Sequence, residues 1–455
     1  MAASQSRGGV SGLEFYSVDF LFVFLPLFLF IYMLIPIRYR NFVLIFGSIL
    51  FYGLACRGHI WQLGLLLAAT LVSFGVARLL QGRARKWVLG VSLLGMTALL
   101  AFLKCYEGGR LLPPGLSFYF FQIAAYLIDV SRGRISPDLQ LSHYAAQIVM
   151  FPKLMSGPLV SPKELQRQTW GRGYLSWRFH AGLQKLIVGL ALKVLLADRL
   201  APVWNQATIL GSTSMSTAYA WLALLAYAMR LYFDFFGYSL MAVGLGQMLG
   251  FELPENFHEP YSARSVSEFY RRWHITLGAW FRDYLYIPLG GSRSGTWRTI
   301  RNICFIWLLT GLWHGIGGSY LVWAGAICLL ILNEKLWLGK LLKKTKVFCH
   351  IYTVFSILLT WLPFAVPNFH KLKIYLLRLF GQGGLVLNPM DFRFVLRDYG
   401  LVLFAGVFFL TPLPRRIYQK IRNSLWLDLL LFVVFWITVY FLATAKQDPF
   451  LYFKF

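Results

Sequence analysis

Long apolar runs recur along nearly the whole chain, and they limit what it can fold into more than any other feature. A helix needs about 20 apolar residues to cross the hydrocarbon of a bilayer, where every backbone group must be satisfied internally. Apolar runs lie at residues 18–37, 42–55, 60–80, 87–103, 115–130, 218–249, 307–318, 321–336, 347–366, 399–413 and 425–444. Of the 455 residues, 58% are hydrophobic and 14% charged, whereas soluble domains are about half apolar and a quarter charged. The expectation is an all-α polytopic integral membrane protein with about eleven spans plus re-entrant and interfacial helices. No polar stretch is long enough for a separate soluble domain, so residues 1–455 read as one integral membrane domain. It would have a flexible start (1–17), N-terminal spans (18–135), a core (143–337) and C-terminal spans (347–455).

Lys and Arg total 44 against 18 for Asp and Glu, a formal net charge of +26. The basic residues gather at span ends and in loops, where cytoplasmic retention and anionic headgroups account for them without nucleic acid. The remainder suits an anionic substrate such as a phosphate-bearing acyl donor. Arg38 and Arg40, then Arg78, Arg83, Arg85 and Lys86, then Arg132 and Arg134 mark alternate loops as cytoplasmic, against Arg57 and against Lys104 with Arg110. That asymmetry puts the N-terminus outside the cytoplasm. The first run lacks the flanks of a cleaved signal and reads as a retained span. Five scattered cysteines imply neither a disulfide framework nor a metal site.

Several segments break the pattern. Pro152, Gly157 and Pro158 interrupt residues 143–160, which suggests a re-entrant segment lining a protected cavity. Residues 163–178 read as a polar loop, and 179–197 as partly interfacial because of Lys185 and Lys193. Arg230 and Asp234 stand one helical turn apart and would neutralise each other. Residues 268–285 read as one amphipathic helix: Phe269, Trp273, Leu277, Trp280, Phe281 and Tyr284 form a stripe, with Arg271, Arg272 and Arg282 elsewhere. Such a helix lies at a membrane surface with its arginines near headgroups or phosphates. Asp283 beside Arg282 reads as part of a surface charge network, and residues 368–384 as a short basic interfacial helix.

The chemistry gathers at Trp307-Leu308-Leu309-Thr310-Gly311-Leu312-Trp313-His314-Gly315-Ile316-Gly317-Gly318. A titratable residue inside a span is costly and usually faces a cavity or a partner. The local glycines let a substrate or a second backbone approach His314. A structural histidine bonded between helices is the alternative reading. Imidazole takes protons from hydroxyls near neutral pH, so His314, with His274 nearby in the amphipathic segment, fits an acyl transfer that excludes water. His274 or glycine-freed backbone N–H groups are candidate oxyanion donors. No phosphate-cradling Gly-Lys-Ser/Thr loop, metal-binding His/Cys set or Gly-x-Ser-x-Gly elbow is present.

The block from Phe257 to Leu277, which includes Glu268-Phe269-Tyr270-Arg271-Arg272-Trp273-His274, resembles the membrane-bound O-acyltransferase family. So does Trp280-Phe281-Arg282-Asp283-Tyr284-Leu285-Tyr286-Ile287-Pro288-Leu289-Gly290-Gly291, and within the family the match is to the alginate O-acetyltransferase branch. Leu312-Trp313-His314-Gly315 resembles its catalytic histidine motif. Supporting matches lie at residues 115–122, 151–158, 232–239 and 448–453. The branch usually has Ser where this chain has Phe236, and Asp where it has Leu240. The resemblance implies a funnel-shaped bundle with a central tunnel and His314 at its constriction, assisted by His274. Arg271, Arg272, Trp273, Arg282, Trp313 and Asp234 are the accompanying substrate- or donor-binding candidates. The implied donor is acetyl-CoA, with no bound cofactor and no metal. The implied acceptor is an extracytoplasmic glycan, reached through an esterase-like partner protein at the bacterial cytoplasmic membrane. Two alternatives stand beside it: D-alanyl transfer from a carrier-protein thioester in the same superfamily, and a transporter using His314 with Arg230 and Asp234.

Overall fold

The computed structural model describes residues 13–56, 59–106, 111–171, 176–293 and 295–444. Residues 1–12 of the segment 1–17, Arg57, Arg110 and the terminal match at 448–453 lie outside the described residues. Within them the fold is helical, with no strand beyond an isolated antiparallel bridge between Phe257 and Trp273. Five helices are long and apolar enough to cross a membrane: Ile60–Leu79, Arg85–Cys105, Gly318–Leu342, Val347–Ala365 and Leu425–Thr444. A sixth is added if Asp391–Leu410 and Leu413–Ile421, bent by 73°, count as one. Phe20–Leu34 and Leu116–Ser131 are apolar but shorter.

Most boundaries follow the apolar runs, and the departures have local causes. Residues 218–248 of the apolar run at 218–249 belong to one helix of 32 residues, Thr217–Met248. The expected loop at 163–178 instead contains a helix, Pro162–Gly171, with proline in its first turn and Leu165, Gln168 and Thr169 buried along one side. Proline costs little at that position, and spacings of three and four residues keep the buried stripe on one face. Between Leu141–Val149 and Phe151–Leu154 the chain breaks at Met150, just before Pro152. Proline has no N–H for the carbonyl four residues back and its ring crowds that carbonyl, so a regular helix does not run through Pro152 and this interruption was readable from sequence.

The chain divides into two compact units, residues 1–183 with 241–253, and residues 184–240 with 254–455. The first holds a block of phenylalanine: Phe15, Phe20, Phe24, Phe28, Phe51 and Phe151 pack ring against ring, with Phe28 and Phe151 edge to face at 5.2 Å. Two of its buried side chains bond to backbone within the unit: the Tyr32 hydroxyl donates to the Leu249 carbonyl at 2.8 Å, and the Gln122 amide donates to Val160 O at 3.0 Å.

The second unit carries both singled-out histidines. Thr296–His314 lies tightly against Gly318–Asn333, because a Cβ on Gly311 would sit 2.9 Å from that of Ala324. On the same pair of helices the sulfurs of Cys304 and Cys328 are 3.7 Å apart. A single wide turn, Leu192–Ala197, presents Lys193, whose ammonium donates to Asp198 at 2.6 Å and forms an ion pair with Asp234 at 2.8 Å. The Asp234 carboxylate, one helical turn from Arg230, is thus also paired with a lysine 41 residues away in sequence.

Candidate active site

His314 is the last residue of its helix, and Gly315 follows in extended backbone. A Cβ on Gly315 would come within 2.4 Å of the Tyr320 ring, so only glycine lets the chain leave the helix here. The buried imidazole meets Trp313 at 4.5 Å, Trp323 at 4.9 Å and Phe364 at 5.3 Å between ring centroids. The last two contacts are near-perpendicular, the edge-to-face arrangement aromatic rings favour.

His274 is held differently. The helix expected over 268–285 is broken: Val266–Arg272 ends at Trp273, His274 takes φ 48° and ψ 52°, and Ile275–Phe281 starts anew before a wider turn at Arg282–Tyr286. Left-handed backbone costs a residue with a bulky side chain about 1–2 kcal/mol. Caps secure the first piece: Ser265 Oγ accepts from the Glu268 N–H, and buried Glu334 accepts from the N–H groups of Val266 and Ser267. A carboxylate at a helix N-terminus complements both the unsatisfied donors and the helix dipole. Ser265-Val266-Ser267-Glu268 has the residue pattern of a capping box, and Glu334 adds acceptors from a distant part of the chain. The His274 ring lies edge-on to Phe235 at 4.8 Å and 6.5 Å from the Trp313 ring. Neither short helix is a membrane-crossing one, and burial pushes the His274 imidazole down to about 3.

Both histidines line one cavity of about 230 Å³. Trp273, Trp307, Trp323, Trp361 and Phe364 form much of its wall, Thr310 adds a hydroxyl, and Arg282 reaches it. The cavity thus brings together His274, His314, Trp273 and Arg282 from among the candidates. Trp313 does not line it, but its ring lies 4.5 Å from that of His314 and 6.5 Å from that of His274. Arg271 is exposed, Arg272 is bonded to Glu268 at 2.6 Å, and Asp234 is bonded to Lys193, all away from the cavity wall. Arg282 is paired with Asp283 at 2.7 Å, and both are exposed. Sequence reasoning missed Trp323, Trp361 and Phe364. Their only signal is aromatic spacing within apolar helices, which ordinary core residues share.

The wall is aromatic and aliphatic apart from these few polar groups, so a molecule bound there leaves water behind. Residues 86–365, which hold the entire cavity wall, match the membrane-bound O-acyltransferase family. The chain belongs to that family. It is a multi-pass membrane protein, as its apolar helices require. A relative from Azotobacter vinelandii named "Probable alginate O-acetylase" is 40% identical over 334 residues, 68% of this chain and 66% of the relative. A Pseudomonas putida relative of the same name is 33% identical over 97% of this chain and all of its own length. A Helicobacter pylori peptidoglycan O-acetyltransferase is 37% identical over 47% of this chain and 45% of its own.

Proposed function

We propose that the protein moves an acetyl group from cytoplasmic acetyl-CoA toward hydroxyl groups of an extracytoplasmic polysaccharide or cell-wall glycan, through a partner protein. The observation that carries this reading is the cavity shared by His274 and His314, within a family of acyltransferases whose relatives here are named for glycan O-acetylation. In the proposed reaction His314 takes the proton of the acceptor hydroxyl while its oxygen attacks the thioester carbonyl. The C–S bond then breaks, and the departing thiolate receives the proton back from His314. His274 assists at the oxyanion, and the aromatic wall keeps water from the activated acyl group. Arg282, which reaches the cavity, meets a donor phosphate in the proposed reaction.

A passage through the bundle, about eleven spans, an outward N-terminus and a bacterial cytoplasmic membrane location belong to the same proposal. They are supported by family membership and by the Lys/Arg asymmetry. Names denoting O-acetyl transfer favour acetyl over the D-alanyl alternative. The transporter alternative loses support because Asp234 is bonded to Lys193 away from the cavity.

The test is acetyl transfer from labelled acetyl-CoA by protein reconstituted in vesicles with an acceptor glycan and its partner. Wild-type protein is expected to transfer label, and folded His314→Ala protein to lose about 10²–10⁴-fold. Transfer at the wild-type rate by His314→Ala would refute the assignment of the base. Transfer from a carrier-bound D-alanyl thioester alone would refute the donor.

A further inference from the structure

Among the described residues, only Glu259 and His274 are non-glycine residues with positive φ, at 51° and 48°. No glycine, asparagine or aspartate stands in residues 272–276, so contacts from outside the segment hold the left-handed turn. The imposing strip is residues 256–258, which runs antiparallel to the break. The His258 N–H donates to Arg272 O at 3.0 Å, Phe257 bridges Trp273, and the Ile275 N–H donates to Asn256 O at 2.9 Å. Asn256 then adds its side chain. Its Oδ1 accepts from the Thr276 N–H at 3.2 Å and from the Thr276 hydroxyl at 2.6 Å.

One buried asparagine, 1% exposed, therefore holds three of the bonds that restart the chain immediately after His274. Its Nδ2 has no hydrogen-bond partner among the described residues, so all of its side-chain bonding runs through Oδ1. It does not line the cavity, whereas His274 does. We infer that Asn256 is a positioning residue for acyl transfer, which fixes the backbone of His274 so that its imidazole faces the cavity beside His314. The inference rests on the proposed role of His274 and adds the residue through which the fold enforces it. Two bonds from a fixed Oδ1 to consecutive donor groups of one residue leave the restart of the helix little freedom to rotate. A shift of about 1 Å at a reacting group is enough to cost 10²-fold in rate.

The experiment is a double-mutant cycle in reconstituted full-length protein: Asn256→Ala, His274→Ala and the pair, each first shown to be folded by size exclusion. Asn256→Ala is expected to lower kcat by about 10²-fold with KM for the donor near wild-type, and to add nothing in the His274→Ala background. Asn256→Asp keeps the acceptor and is expected to restore most of the rate. Thr276→Val loses only the hydroxyl bond and provides a milder variant of the same sign. A full rate loss from Asn256→Ala in the His274→Ala background would overturn the inference, because a purely structural role behaves that way. Wild-type kcat in folded Asn256→Ala would overturn it too. Carbethoxylation of His274, followed by mass spectrometry, supplies a readout independent of activity and is expected to change between wild-type and Asn256→Ala. An unchanged rate of modification means the ring has not moved and rejects the positioning role. If His274→Ala keeps full activity, the role of His274 falls, and carbethoxylation still decides whether Asn256 places the ring.

Discussion

The two aromatic clusters of the molecule are built from different residues and have different consequences. In the first unit six phenylalanines stack and cross one another with no polar tip among them. In the second, Trp273, Trp323, Trp361 and Phe364 surround a cavity and share its wall with two imidazoles. Phenylalanine can fill space and owes nothing to a hydrogen-bond partner. Tryptophan and histidine carry polar atoms that solid packing would strand, so they suit a wall with an opening in it. The comparison separates scaffold from site by residue chemistry, within one kind of apolar helix.

The largest effect that could break this contrast comes from matched deletions. His314→Ala should lose about 10²–10⁴-fold in transfer while melting near wild-type, whereas Phe151→Ala should lose about 3–5 kcal/mol of stability and keep its activity per folded molecule. Activity in labelled-donor assays and thermal melting in detergent check both, and the same phenotype from the two variants would dissolve the distinction. Next comes Lys193→Met, which removes a buried cation shared by Asp198 and Asp234 and should cost about 3–5 kcal/mol, read as a lower melting temperature. Replacing all three residues with apolar ones of similar volume should recover most of that loss.

A smaller effect concerns pH. Folding lowers the His274 pKa to about 3 from an ordinary 6.5, so between those values the unfolded chain binds a proton that the folded one refuses. Stability is therefore retained above pH 6.5 and falls as pH drops below it, by up to about 1.4 kcal/mol per unit. Melting between pH 7 and 5 should show a shallower slope in His274→Gln than in wild-type. Smallest of all, Arg271→Gln should leave both stability and transfer nearly unchanged, since surface charges away from partners count for a few tenths of a kcal/mol, about ±0.5 at most.

Reading the chain alone reached the helical membrane class, the interruption near Pro152 and the pairing of His274 with His314, because apolar length, proline and glycine act locally. It missed the break at His274. Phe269, Trp273, Leu277 and Trp280 keep helical spacing straight through it, and the cause lies in residues 256–258, outside that window. Nor was the ion pair between Lys193 and Asp234 legible, since tertiary packing sets it across 41 residues of sequence. Polar composition hid Pro162–Gly171, whose buried side includes a glutamine and a threonine bonded to neighbours: Gln168 to Glu164 and Glu252, Thr169 to Leu165. The cavity wall was invisible for a similar reason, as holes do not have a period.

The adjoining thiols of Cys304 and Cys328 give the molecule a native ruler. They sit across the two helices that bring His314 against Trp323, so any sliding that parts those rings also parts the sulfurs. The speed with which a mild oxidant joins the two, followed during turnover, would time the breathing of the helix pair without a single added label.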